Sequence, residues 1–270
     1  MEKIFPKNTF GKRMSSMLSV DSRRMFFTPL FFIMLGISIS VPILILVMTT
    51  MMAGSVSVDP NTGKETVMEA FDSAWQIIGS VSTSGATGEA VSMDMTSMCN
   101  INLLYFGVAV LICLFVSADF KSGYAKNLFA VRAKKGDYVI SKTMIGMIAS
   151  ALLTVGFVLG TVLGGAIAGL PFDMEGFTAA NLVMRILSKV FLMAVFVPIY
   201  VLMSVIAKQR TWLAVVLSMA VGMLLFTMIP TLTPLDSNAM NVILTLAGGA
   251  MFSMGLGAIS RLVLKKSDIL

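Results

Sequence analysis

Long apolar runs separated by short polar stretches make up most of the chain. Their lengths predict helices that cross a bilayer rather than the interior of a water-soluble domain. Six runs qualify: Phe26–Ala53, Ile101–Ala118, Met144–Leu170, Leu182–Ala207, Trp212–Ile229 and Ala239–Ser260. The expected fold class is therefore all-α: a polytopic membrane protein of six transmembrane helices, forming one domain over 1–270. The first run is not expected to be a cleaved signal peptide, because its apolar part is too long and a basic segment precedes it.

The polar stretches carry patterns of their own. In the first outer loop, 54–100, Met68, Phe71, Trp75 and Ile78 recur at helical spacing with Glu69 and Asp72 off that stripe. This predicts an amphipathic helix over 67–78, lying on the outer surface or capping the spans. Ser80–Gly88 reads as a flexible linker. In the inner loop, 119–142, Phe120, Tyr124, Leu128 and Val131 fall at i, i+4, i+8 and i+11. That spacing predicts a second amphipathic helix, along the inner surface.

Composition strengthens the membrane reading. Hydrophobic residues are 57% of the chain and charged residues 13%, with a mean hydropathy of +0.90; soluble domains carry roughly 25% charged residues. Histidine is absent, which removes the commonest general base and imidazole-ligated metal sites. Cys99 and Cys113 are expected to be free thiols, and the 24 methionines read as adaptable packing. No phosphate-binding glycine loop or nucleophile motif occurs. The chain is thus expected to be no enzyme, with no cofactor of its own. No span contains an Asp or Glu, which counts against an ion-coupled secondary transporter.

Charge then orients the spans. With the N-terminus inside and sides alternating, 17 of the 20 Lys and Arg residues fall inside, which agrees with the positive-inside rule. Only Lys64, Arg185 and Lys189 lie outside, together with nine of the 14 acidic residues. Both termini are therefore expected in the cytoplasm of a multi-pass protein of the cell membrane, of bacterial type. The net charge of +6 divides into +12 inside and −6 outside. Attraction to anionic inner-leaflet lipid accounts for that balance. Nucleic acid is not an expected partner, since no basic-aromatic module accompanies the charge.

Several positions within the spans stand out. Arg185 and Lys189 sit one turn apart near the outer end of the fourth run. They either snorkel to outer headgroups or form a positive collar on an internal cavity that meets a cargo carboxylate or a lipid phosphate. Pro42 and Pro198 each remove a helix hydrogen bond. Gly160 and Gly164 form a GxxxG pair, and Gly249, Ser253 and Gly257 a small-residue stripe. Both patterns permit close helix approach, within one chain or between two.

The inner loop also carries a resemblance. Asp119, Gly123, Lys126-Asn127-Leu128, Arg132, Tyr138 and Ser141-Lys142, in that order and rough spacing, resemble the permease subunits of type-2 ATP-binding-cassette (ABC) exporters. The tail Lys265-Lys266-Ser267-Asp268-Ile269 is similar to theirs, whereas Ala130-Val131-Arg132 departs from the usual Gly-Ile/Val-Ser-Arg. The resemblance implies a second copy of the chain and two cytoplasmic ATPase subunits, which hold the ATP and magnesium. It further implies ATPase docking through Asp119, Phe120, Gly123, Lys126, Asn127, Leu128, Arg132, Tyr138 and Lys142. A compact permease of this kind looks most like exporters of antimicrobial or amphipathic peptides, or of other lipophilic cargo. The rival expectations are a membrane scaffold or assembly factor, whose inner loop only orients it, and an ion-coupled transporter.

Overall fold

The structure, a computed structural model, describes residues 10–58, 65–67, 71–78, 100–131, 134–173, 178–226 and 238–266. Eight α-helices order the described chain: α1 Phe10–Phe26, α2 Pro29–Met52, α3 Leu103–Lys121, α4 Tyr124–Val131, α5 Lys135–Ala168, α6 Ala179–Ala207, α7 Thr211–Phe226 and α8 Ala239–Lys266. Five of them, α2, α3, α5, α6 and α8, are long and apolar enough to cross a membrane, and α7 is a shorter apolar helix. The chain is a multi-pass helical membrane protein.

The element boundaries follow local chemistry. Thr28 precedes Pro29, and a residue before proline disfavours helix, so the basic N-terminal segment folds as a separate α1. Met14, Met17, Asp21 and Met25 form its buried face, which lies on α5. Gly123, at φ 72°, turns the chain between α3 and α4. The inner-loop helix expected to run from Phe120 through Val131 is therefore broken: Phe120 lies in the last turn of α3, and α4 starts at Tyr124. The expected span Met144–Leu170 starts earlier, at Lys135, because Tyr138, Ser141 and Lys142 have partners that keep that stretch helical and buried.

The outer loop differs most from expectation. Val56–Val58 pairs antiparallel with Glu65–Val67, with Ser57 opposite Thr66. Among the described residues that follow it in this loop, Ala74–Ile78 is helical, as a short 3₁₀ turn rather than an amphipathic α-helix. Ala74 N–H donates to the Pro171 carbonyl at 3.0 Å, Ile101 N–H donates to the Ile77 carbonyl at 3.0 Å, and Trp75 meets Phe172 edge-on at 5.7 Å. The Pro171 and Phe172 contacts anchor the turn just beyond the end of α5 and the Ile101 bond ties it to the start of α3, so it caps the bundle. Met68, the 80–88 linker, Cys99 and the 267–269 tail lie outside the described residues.

Small residues hold the long helices together. A β-carbon on Gly160 would stand 2.2 Å from the Ile39 carbonyl oxygen and 2.6 Å from Pro42 Cγ; on Gly164 it would stand 2.8 Å from Ile43 Cα. The GxxxG pair thus seats α5 on α2 within the chain, and Ser38 Oγ adds a bond to the Leu153 carbonyl at 2.5 Å. The stripe on α8 seats it on α6: a β-carbon on Gly249 would lie 2.7 Å from Ala194 Cβ, whereas nothing approaches Gly257 within 4 Å. Pro198 gives α6 a freed carbonyl at Ala194, four residues back, and Ser253 Oγ of α8 donates to it at 2.7 Å. A neighbouring hydroxyl satisfying a proline-orphaned carbonyl is how membrane helices tolerate proline.

Two outcomes follow for the isolated protein in detergent, read by thermal melting. Gly160→Ala is expected to destabilise by about 1–3 kcal/mol through overpacking, while Gly257→Ala stays near wild type. Ser253→Ala is expected to cost about 0.6–2 kcal/mol, but to cost nearly nothing in a Pro198→Ala background, where the helix donor is restored. Equal costs in both backgrounds would show that the hydroxyl serves some other group.

Candidate functional site

Four charges meet where α1, α3, α4 and α5 converge. Asp119 ends the apolar run of α3, Lys142 lies two turns into α5, and both are 0% exposed; Asp21 of α1 is 1% exposed. Lys142 Nζ stands 2.8 Å from Asp21 Oδ1 and 2.7 Å from Asp119 Oδ2, bridging the two carboxylates. Arg24 Nη2 reaches Asp119 Oδ1 at 2.6 Å from the side nearer solvent. The cluster contains two cations and two anions, so it is neutral as a whole.

Neutral donors and aromatic faces complete it. Ser141 Oγ donates to Asp21 Oδ2 at 2.6 Å, and Tyr138 OH donates to Asp119 Oδ2 at 3.0 Å. The Phe115 ring lies 3.9 Å from Lys142 Nζ, and the Tyr124 ring 4.0 Å from the Arg24 guanidinium. Burial works against the charge on Arg24, but the Asp119 charge and hydrogen bond outweigh it and raise its pKa. Burial, with the Asp21 charge added, raises that of the Tyr124 phenol. Arg24 therefore stays cationic against a neutral ring, a favourable cation–π pair. Tyr124 is the first residue of α4, so the short helix is held to the cluster through this contact.

The residues of the expected docking set divide in two. Asp119, Phe120, Tyr138 and Lys142 are brought together but face inward, and Phe120 packs edge-on against Tyr138 at 6.3 Å. Their side chains are not surface contacts; they form the floor beneath α4. Lys126 and Asn127 are exposed on α4, Leu128 is half-buried toward the core, and Gly123 forms the corner. Arg132 lies outside the described residues. Sequence reasoning missed Asp21 and Arg24 as members. The available signal was Asp21 itself, a carboxylate within the basic segment and one turn before Arg24, at a spacing that puts both on one helix face.

A basic cleft of about 750 Å3 opens beside the cluster. The α3–α4 corner supplies Lys121, Gly123 and Lys126, and the α6–α7 corner supplies Lys208, Gln209 and Arg210. Lys208 turns that second corner at φ 52°, ψ −113°, a conformation that costs on the order of 1–3 kcal/mol outside glycine. The last turn of α8 reaches the same end, where Lys135 Nζ donates to the Leu264 carbonyl at 2.5 Å. Arg13 of α1 pairs there with Asp137 at 3.1 Å.

Arg185 and Lys189 occupy the opposite end of the bundle. They are 2% and 1% exposed, and Lys189 Nζ donates to Asn102 Oδ1 at 2.8 Å. Instead of snorkelling to headgroups, both are buried, and Lys189 turns toward the start of α3.

Removing one partner of a buried pair leaves an uncompensated charge and typically costs about 3–5 kcal/mol. Lys142→Met is expected to destabilise the protein by that amount, measured by thermal melting in detergent. Adding Asp21→Asn should recover part of the loss, because Asp119 keeps Arg24. A Lys142→Met protein that melts like wild type would remove the cluster from the set of structural supports.

No protein-family model matches the chain, and neither a curated protein nor a solved structure does.

Proposed function

We propose that this chain is the membrane-spanning permease subunit of an ATP-driven ABC exporter. It forms the translocation path for an amphipathic peptide or other lipophilic cargo. A pair of these chains works with two cytoplasmic ATPase subunits, which hold the ATP and magnesium, in a bacterial cell membrane. The observation that carries the reading is α4: an eight-residue helix between two membrane helices, with Lys126 and Asn127 exposed on it and a buried ion cluster beneath.

That arrangement suits force transmission. A partner that binds one arrangement of the spans better than another shifts their equilibrium by its differential affinity. A push on α4 reaches α1 through the Tyr124–Arg24 contact, and then α3 and α5 through Asp119 and Lys142. The partner thus needs to touch only the exposed residues; the buried ones carry the displacement onward.

Six crossings with both ends of the bundle on one side are supported by parity, and the clustering of Lys and Arg at that end supports its being the cytoplasmic one. α2 starts at the cluster end, beside Arg24, and α8 finishes at the same end, beside Lys135. An even number of crossings lies between, so α7 joins the five long helices as a sixth. At 16 residues it spans about 24 Å, short of the usual hydrocarbon thickness but within the range that local thinning accommodates.

Co-expression with candidate ATPases tests the reading. The expected result is a co-purifying complex with vanadate-sensitive ATP hydrolysis. Replacing Lys126 with Glu and Asn127 with Ala should weaken that association about tenfold or more without altering membrane insertion. Unchanged association would sink the docking assignment. Cargo movement in vesicles driven by an ion gradient without ATP would replace the exporter with a secondary transporter.

A further inference from the structure

The basic cleft has a composition that the ion cluster does not explain. Lys121 and Lys126 enter it from one corner, Lys208 and Arg210 from the other. None of the four is ion-paired among the described residues, and no carboxylate is among the residues lining the cleft. Four like charges around one concavity repel each other unless an anion lies between them. Lys208 adds a local argument. Its left-handed φ would be free of strain for glycine, yet the position holds a cation facing the cleft.

The walls are not those of a purely polar site. Ile206 and Leu213 form the side toward the membrane-spanning parts of α6 and α7, and Ile206 remains 47% exposed. Trp212, next to Leu213, is 67% exposed. An exposed tryptophan at the end of an apolar helix belongs at headgroup depth. Cations above, an apolar wall below and an exposed tryptophan next in sequence to the lining Leu213 match an amphiphile with an anionic head. They match a free anion less well, since it has no use for the wall. Basic pockets between membrane helices take such headgroups.

We propose that this cleft binds the headgroup of an anionic phospholipid, its phosphate among Lys121, Lys126, Lys208 and Arg210 and its chains along Ile206 and Leu213. The bound lipid bridges the α3–α4 corner to the α6–α7 corner, which are distant in sequence. This inference needs no ATPase; it shares Lys126 with the proposed docking face, but its test leaves Lys126 unchanged, so the two readings fail separately.

The test uses the full chain in lipid vesicles. Trp75→Phe leaves Trp212 as the one tryptophan, because the protein has two. Its fluorescence is quenched by phosphatidylglycerol or phosphatidylcholine brominated near the headgroup, each at the same low mole fraction and at constant ionic strength. The anionic lipid is expected to quench about threefold or more above the zwitterionic one, and Lys208→Gln with Arg210→Gln should bring the two together. Arg23→Gln, which removes an exposed cation of α1 outside the cleft, should leave the difference intact. Equal quenching by the two lipids overturns the proposal, as does a difference that survives the double substitution or disappears equally with Arg23→Gln. Loss of the difference on adding inorganic phosphate assigns the cleft to the free anion. Loss on adding soluble polyglutamate assigns it to an acidic protein segment. Either result also overturns the lipid assignment.

Discussion

The electrostatic closure of Asp21, Arg24, Asp119 and Lys142 is the constraint that shapes the rest of this molecule. A charge buried without a partner is strongly destabilising, so each of these side chains can stay inside only while the others hold position. That requirement fixes α1 against α5, extends α5 past its apolar run, and ends α3 at the level of Asp119. It also sets the seat of α4, since Arg24 serves Asp119 with its guanidinium edge and Tyr124 with its face. An apolar cluster of the same volume would tolerate sliding of one helix along another. A bridged pair of carboxylates does not, because the geometry that satisfies both is narrow.

The membrane part rests on a different force. Lipid is as apolar as the side chains, so helices adhere through close packing and a few hydrogen bonds rather than through exclusion of water. The two seams of this type are α2 on α5 and α8 on α6, and each pairs a proline-bearing helix with a glycine-bearing one. Pro42 meets Gly160 directly, while the carbonyl that Pro198 releases is met by Ser253. α3 and α6 are mostly buried between these seams, whereas α2 and α8 offer much of their surface to lipid.

Much of this architecture was legible in the sequence, because span length is a one-dimensional property. The five long helices fall on expected runs, and the glycine pairs are used for close approach as their spacing implied. What escaped was three-dimensional. Nothing in the spacing of Asp119, Tyr138 and Lys142 distinguishes a surface that receives a partner from an interior that supports one. Both uses require polar residues at the end of an apolar run, and only the distant Asp21 and Arg24 decide which occurs. Lys189 was ambiguous for the same reason: a long side chain near a helix end can reach outward or inward, and Asn102 of another helix makes the inward position favourable. The outer stretch misled differently. Phe71, Trp75 and Ile78 are spaced for an α-helix, but their burial against the end of α5 is met by one short 3₁₀ turn.

The length of α5 carries a mechanical consequence. Its 34 residues make a continuous rod about 51 Å long. One end holds Lys142 among its carboxylates; the other meets Ala74 of the outer turn at Gly165, too closely for a side chain to intervene. No proline interrupts it, so both ends belong to one stiff element. A tilt of about 5° about one end would sweep the other through about 4 Å, where one backbone hydrogen bond and one aromatic contact join it to the turn. The two ends of the bundle are therefore joined by one unbroken helix, with a buried ion cluster at one end and a close-packed turn at the other.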